Sequence, residues 1–226
     1  MSVEPQPASS PARRELVIVG AGGFAREVLA LTRAIARAGS DDWRVVAFLG
    51  RGGDPLGSEL DGIPVVGAAS SRRPSGQRPA GVSGIGYPQG RRAEVEARAA
   101  EVSSWATLIH PGVGFDSDRV RIGAGCVVLE GSSFTTDLTL GRHVMLHLHC
   151  TVTHDCVLED YVSLMPGCHV SGNVTLREGV FMGAGAVVLQ GLEVGAWASV
   201  GAGAVVTEDV PAGATVVGIP ARVVRT

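Results

Sequence analysis

The sequence predicts two domains of different class, a small α/β unit with a parallel sheet followed by a parallel β-helix built on six-residue repeats. Three observations carry this. Every sixth residue from Ile122 to Val206 is aliphatic or aromatic, fifteen in succession. A second series four places on, from Cys126 through Ser132 and Leu138 to Val210, is apolar except for that serine, and mostly small. Ahead of both, Glu15-Leu-Val-Ile-Val19, a glycine-rich turn and a helix-compatible run follow one another, the order of a nucleotide-binding βα unit.

A period of six is neither the 3.6 of a helix nor the 2 of a half-buried strand. It is the repeat of a parallel β-helix. Each hexad supplies one flat side of a triangular prism, so eighteen residues close a coil and residue n lies beneath n+18. About five coils result, each covering the face of its neighbour. The large residue of each hexad points inward from a flat side and the small one inward near a corner. Glycines such as Gly123, Gly125, Gly141, Gly167, Gly183, Gly185, Gly201 and Gly203 fall at the corners, where φ > 0 or close approach is needed.

Composition narrows the function. The 226 residues hold 45% hydrophobic and 18% charged side chains, enough for a sizeable core, and a net charge of −3 offers no electrostatic case for nucleic acid or an anionic membrane. The nineteen basic side chains are all arginine. Without lysine there is no P-loop lysine, Schiff base or pyridoxal chemistry. Polar residues interrupt every hexad, which excludes membrane spans. Cys126, Cys150, Cys156 and Cys168 all occupy the small inward position, form no C-x-x-C pair and read as free, buried thiols. No signal peptide precedes the first strand, so a cytoplasmic chain is expected.

Taken in order, residues 1–14 form a Pro/Ser/Ala-rich tail expected to be disordered. Residues 15–104 form the α/β domain: the first strand, the turn Gly20-Ala-Gly-Gly-Phe-Ala25, a helix to about Ala38, a strand over Arg44–Leu49, a loop to Pro64, a short strand at Val65–Val66, another over Val82–Gly86 and a helix over Arg91–Glu101. The turn presents backbone N–H groups at a helix start, suited to phosphate; its glycines also admit a pure helix–sheet packing role. A dinucleotide site carries an acid at the end of the second strand, but Gly50-Arg51 stands there, which favours a mononucleotide-sized ligand. Residues 105–226 form the β-helix. Its first coil is irregular between Val113 and Ile122, and Pro211–Arg222 must close its far end.

Five of the six histidines lie between 143 and 169. The repeat turns His143, His147, His149 and His154 out of the prism. His154 is followed by Asp155, and eighteen residues on stands Gly172, whose bare backbone N–H should lie one strand spacing from the imidazole. A base beside an N–H donor suits acyl transfer, the imidazole (pKa ~6.5) removing the nucleophile's proton and the N–H meeting the developing oxyanion.

These residues carry a resemblance. His154-Asp-Cys-Val157, Gly172-Asn-Val174, Gly183-Ala-Gly-Ala186, Gly201-Ala-Gly-Ala204 and Val217-Gly-Ile-Pro-Ala-Arg222, behind Val19-Gly-Ala-Gly-Gly-Phe-Ala-Arg-Glu27, resemble the bacterial hexapeptide-repeat sugar acetyltransferases. The branch they resemble contains nucleotide-linked 4-amino-sugar N-acetyltransferases and sialic acid O-acetyltransferases. The resemblance implies a left-handed β-helix and a homotrimer with acetyl-CoA between neighbouring prisms, without a metal. It implies His154 as base, Asp155 as its partner and the Gly172 N–H on the thioester carbonyl. Pantetheine is placed along Gly183, Ala184, Gly201 and Ala202, and adenine near Pro220 and Ala221. The sugar nucleotide is placed on Gly20, Gly22, Gly23, Phe24 and Arg51, with His147 and Ser163 where the family carries a substrate-contacting Asn and His. An acetyl transfer to the amine of a nucleotide-linked sugar is the first expectation and O-acetylation the second. A different class, a zinc enzyme resembling γ-carbonic anhydrases, is suggested by His149 and His154 at H-x₄-H spacing, although its third ligand position is Val113. Outward Met145, Val157, Phe181 and Val187 are expected at a subunit interface.

Overall fold

A computed structural model describes residues 14–39, 43–67 and 77–226. The expected tail lies outside these residues except for Arg14. The first domain is a five-stranded sheet of order β3-β4-β2-β1-β5, with β1 at Arg14–Val19, β2 at Trp43–Leu49, β3 at Glu59–Leu60, β4 at Ile63–Val66 and β5 at Ala80–Ser83. Helix α1 covers Gly23–Arg37 and α2 covers Pro88–Arg98. β1 is parallel to β2 and to β5, and only the β3–β4 pair is antiparallel. Leu16, Ile18, Phe48 and Val82 are buried beneath α1 residues Val28, Leu29 and Ile35.

Several boundaries differ from expectation: β4 begins at Ile63 rather than Val65, β5 ends at Ser83 rather than Gly86, and α2 ends at Arg98 rather than Glu101. β5 begins two residues early, because the small side chains of Ala80 and Gly81 let the strand pass under Trp105, with which Gly81 forms a bridge. α2 begins at Pro88 rather than Arg91, since proline's fixed φ suits the first helical position. β3 emerges from the expected loop because Asp61, at φ 51°, and Gly62, at φ 75°, close a tight hairpin.

The second domain is the predicted prism. Strands Val120–Ile122, Leu138–Leu140, Val157–Leu158, Thr175–Leu176 and Glu193–Val194 form its first face. Leu108–Ile109, Val127–Val128, Met145–Leu146, Ser163–Leu164, Phe181–Met182, Ser199–Val200 and Thr215–Val217 run through the second, and Ser133–Phe134, Thr151–Val152, His169–Val170, Val187–Val188 and Val205–Val206 form the third. Pairing is eighteen residues apart throughout the body, Thr139 beside Val157, Met145 beside Ser163 and Thr151 beside His169. It slips at the ends, where Leu108 pairs Val127 and Ser199 pairs Thr215. Arg222–Arg225 turns back antiparallel on Thr215–Val217 and closes that end. Of the two inward series only Ile122 and Leu192 keep partial exposure, and the four cysteines are buried thiols.

A third hexad series appears in the backbone. Every sixth residue from Gly125 to Gly203 has a positive φ, between 56° and 78°. Seven are glycine, and Asp137, His143, His149, Asp155 and Asn173 are types that tolerate this region. Tyr161 and Trp197 are not, and ring contacts offset their strain. Tyr161 stacks on His143 at 5.2 Å, and Trp197 lies so close over Gly179 that a Cβ there would clash with the indole.

The first domain is mounted on the second face. Arg91 of α2 is 2% exposed, and its guanidinium is held by carbonyls and a hydroxyl rather than by any carboxylate among the described residues. Its Nε donates to His143 O (2.9 Å), Nη1 to Ile85 O and Gly86 O (2.9 Å each), and Nη2 to Tyr161 O (2.6 Å), Val162 O (3.2 Å) and Ser163 Oγ (2.7 Å). Burial brings its pKa down to about 10, so the cation persists at neutral pH. The outward Met145 is therefore not a subunit-interface residue, while Phe181 stays half-buried. Met145 joins the core of the first domain, and Phe181 stacks on Tyr87 at 4.8 Å. Val157 remains exposed and Val187 half-buried.

Replacing Arg91 with leucine takes a donor from five backbone carbonyls at a buried junction, of which only Val162 O (from Met145 N–H) and Gly86 O (from Ser163 Oγ) keep another among the described residues, and is expected to cost about 3 kcal/mol or more in chemical denaturation. His143 is outward from the prism yet 4% exposed, wedged between Trp105 and Tyr161. Burial first, then the Arg91 and Arg142 cations, push its pKa down to about 4, against a smaller opposing pull from Asp160. Between pH 6.5 and 4 only the unfolded chain takes up this proton, so stability falls as pH falls through that window, by about 3 kcal/mol in all. Urea denaturation at pH 7 and at pH 4.5 should show a smaller loss in His143→Asn, which keeps the left-handed backbone without the titration.

Candidate active site

His154 lies in the turn two residues beyond the strand Thr151–Val152 and stands on the corner between the third and first faces. Its side chain is 60% exposed, so the outward direction read from the repeat holds. Nδ1 lies 2.8 Å from Asp155 Oδ2. With the Nδ1 proton donated to that carboxylate, the Nε2 lone pair is left free for a substrate proton. Asp155 reaches back to the neighbouring ring because its own φ is 59°.

Gly172 occupies the adjoining rung. A Cβ on it would lie 2.6 Å from His154 Nε2. Only glycine lets the ring lie this flat against the chain. The ladder uses the N–H of Ser171 (to Val188 O) and of Asn173 (to His154 O) and passes over that of Gly172. Gly172 is buried by the imidazole, not open as the repeat alone suggests, so a carbonyl meets its N–H from beside the ring.

The other assigned groups lie on two further surfaces. Gly183, Ala184, Gly201 and Ala202 climb the corner between the second and third faces, with Ala184 and Ala202 exposed. Gly183 is packed so tightly beneath Ala202 that a Cβ would fall 2.6 Å from its nitrogen. Pro220 is exposed above them, and Ala221 donates its N–H to Val205 O at 2.8 Å. This corner and that of His154 are opposite edges of the third face, so one chain does not bring His154 and these residues together. His149 lies on the first of these corners, His154 on the second and Val113 in the core. Among the described residues no three metal-ligating side chains gather.

The third surface lies at the carboxyl ends of β1 and β5, where β5 pairs on the side of β1 away from β2 and the strand order reverses, the usual place for a ligand. Gly20, at φ 95°, makes the turn, and Gly22 and Gly23 begin α1 facing open space without a side-chain cap. Phe24 is half-buried, 5.7 Å from the ring of His147. His147 Nε2 lies 2.8 Å from Glu27 Oε2, and its Nδ1 accepts the N–H of Leu148. Arg51 lies against Gly20, with Nε buried and 3.9 Å from Asp54. Ser163 corrects expectation: it is fully buried, its hydroxyl taking a bond from Arg91 and giving one to Gly86 O, so it offers nothing to a ligand.

Two groups escaped the sequence reasoning. Asp54 supplies the acid sought at the end of β2, one Oδ accepting the N–H groups of Ala21 (3.2 Å) and Arg51 (2.8 Å). The Gly52-Gly53 pair that turns it back was the available signal. Glu27 was passed over inside its own motif, although an acid one helical turn beyond a glycine turn is itself a mark.

No curated protein sequence matches the chain. Residues 15–97 match the PglD N-terminal domain family. A mutant GDP-perosamine N-acetyltransferase from Caulobacter crescentus, solved with CoA and GDP-perosamine, is 30% identical over 95% of this chain and 99% of its own, with TM-score 0.83. The acetyltransferase domain of PglB from Neisseria gonorrhoeae is 32% identical over 94% of this chain and 100% of its own (TM-score 0.80). WeeI from Acinetobacter baumannii is 30% identical over 93% and 100% (TM-score 0.83). With the α/β crevice, the triangular prism and the His154–Gly172 rung in one chain, it belongs to the PglD-like family of hexapeptide-repeat sugar N-acetyltransferases.

Proposed function

We propose that this protein transfers the acetyl group of acetyl-CoA to the amine of a nucleotide-linked amino sugar, with His154 as the general base. The observation that carries the reading is the imidazole lying against Gly172 with its far nitrogen bonded to Asp155. The amine nitrogen attacks the thioester carbonyl as Nε2 takes its proton. Charge developing on the carbonyl oxygen is met by the Gly172 N–H, and CoA leaves as the thiol. Such a base contributes ~10²–10⁴ in rate and one oxyanion donor ~10²–10³.

Acetyl-CoA is the acyl donor in this scheme. Its pantetheine runs along the bare backbone of Gly183, Ala184, Gly201 and Ala202, and its adenine lies at Pro220 and Ala221. The diphosphate of the sugar nucleotide sits at Gly22 and Gly23, where the open helix start attracts an anion, with Gly20 shaping the turn and Phe24, Arg51 and His147 around it. Because base and cofactor residues occupy opposite edges of one face, the complete site is built from two copies, which supports a closed homotrimer. No helix of the described residues is long and apolar enough to cross a membrane.

Release of CoA from acetyl-CoA, followed with a panel of nucleotide-linked amino sugars, tests the assignment. His154→Ala is expected to lose 10²-fold or more in kcat with its fold intact; unchanged turnover removes it as the base. Gly172→Ala should lose activity without losing stability, since the methyl displaces an exposed ring and the backbone there suits any residue. An unaltered kcat in that variant would show that the ring need not rest on this rung.

A further inference from the structure

Glu27 is the fifth residue of α1 and Gly23 the first. Residues four apart share a helix face, and these two are about 6 Å apart along the axis. Gly23 looks onto open space. Helical side chains tilt towards the N-terminus, so the Glu27 carboxylate is directed along this open face to the glycine turn. It remains 48% exposed while its Oε2 is held by His147 Nε2 at 2.8 Å.

The tautomer of His147 decides what Glu27 can do. Nδ1 accepts the Leu148 N–H at 2.9 Å, so the ring's own proton sits on Nε2 and is donated to Glu27. A neutral donor positions the carboxylate without cancelling its charge. Phe24 packs on the same imidazole and restricts its movement. A fixed negative group is out of place beside an anion seated at a helix start, unless a cation comes between or alongside them. No lysine exists to do so, and Arg51, which lies against Gly20, shares its charge with Asp54 at 3.9 Å. A ligand that brings both charges, a diphosphate and, one sugar ring away, an ammonium, satisfies helix start and carboxylate together.

We propose that Glu27, oriented by His147, binds the protonated amine of the acceptor sugar and sets the preference for an amine over a hydroxyl. The bound ammonium gives its extra proton to solvent before the nitrogen attacks, and His154 Nε2 takes the second proton during the attack. The proposal rests on the nucleotide-sugar reading above and adds the group that recognises the acceptor. It assigns His147 the role of positioning residue, holding the carboxylate on the side of the crevice that faces the prism.

Calorimetric titration of the full-length protein tests it without turnover. The probes are a 4-amino sugar linked in turn to UDP, GDP and dTDP, each against its counterpart with a hydroxyl in place of the amine. The wild type is expected to favour the amine at least tenfold for the nucleotide it accepts. In Glu27→Gln, which keeps an acceptor for His147 Nε2, that preference should fall to within about twofold, through weaker binding of the amine alone. A preference retained in Glu27→Gln, or absent from the wild type, overturns the role of Glu27 while leaving the crevice as the nucleotide-sugar site. Failure of the wild type to bind any of the six compounds overturns the nucleotide-sugar reading and this inference with it.

Discussion

The parallel ladder between coils is the constraint on which the molecule depends. Each rung donates its N–H groups to carbonyls of an adjoining coil, as Thr151 does to Cys168 and Thr175 to Leu192, so a slip of one residue would reverse every side chain of a strand. The inward Val, Leu and Met residues enforce the register, each contributing about 1.5–3 kcal/mol when fully buried. The left-handed corner residues make the bends that keep three short strands on three faces. Their cost is distributed, about 1–2 kcal/mol for each non-glycine, and is met by stacking where the residue is bulky, as at Tyr161 and Trp197.

That frame leaves one face for the first domain, and Arg91 fixes it there. A buried cation without a carboxylate is unusual. Here five carbonyl dipoles and a serine hydroxyl replace the counter-ion, joining the loop after β5 to two rungs of the prism. The junction brings α1 and its glycine turn against the His147 corner, where Phe24 and Glu27 meet the imidazole.

Much was legible in the chain itself. The hexad count placed His154 outward and Gly172 on the next rung, because a strict period leaves no freedom once one position is known to be inside. The βα unit was legible from its glycines for the same local reason. Exposure was not. His143 and His154 are both directed out of the prism, yet the first is buried under Trp105 and Tyr161 and the second stands in solvent. A repeat frame gives direction, while cover comes from another domain.

The same distinction separates the remaining residues. Ser163 and His147 both face outward, yet one is consumed by Arg91 and the other meets Glu27, partners 72 and 120 residues away in the chain. Asp54 is read correctly only once Gly52 and Gly53 are seen to fold it back onto the β1 turn. The sequence by itself determined the architecture and the placing of His154 beside the Gly172 amide, since both follow from short-range periodicity and backbone conformation. Only the tertiary structure decided which outward groups stay free, because that depends on the docking of two domains, and docking is set by long-range carbonyl, guanidinium and carboxylate contacts that no local period encodes.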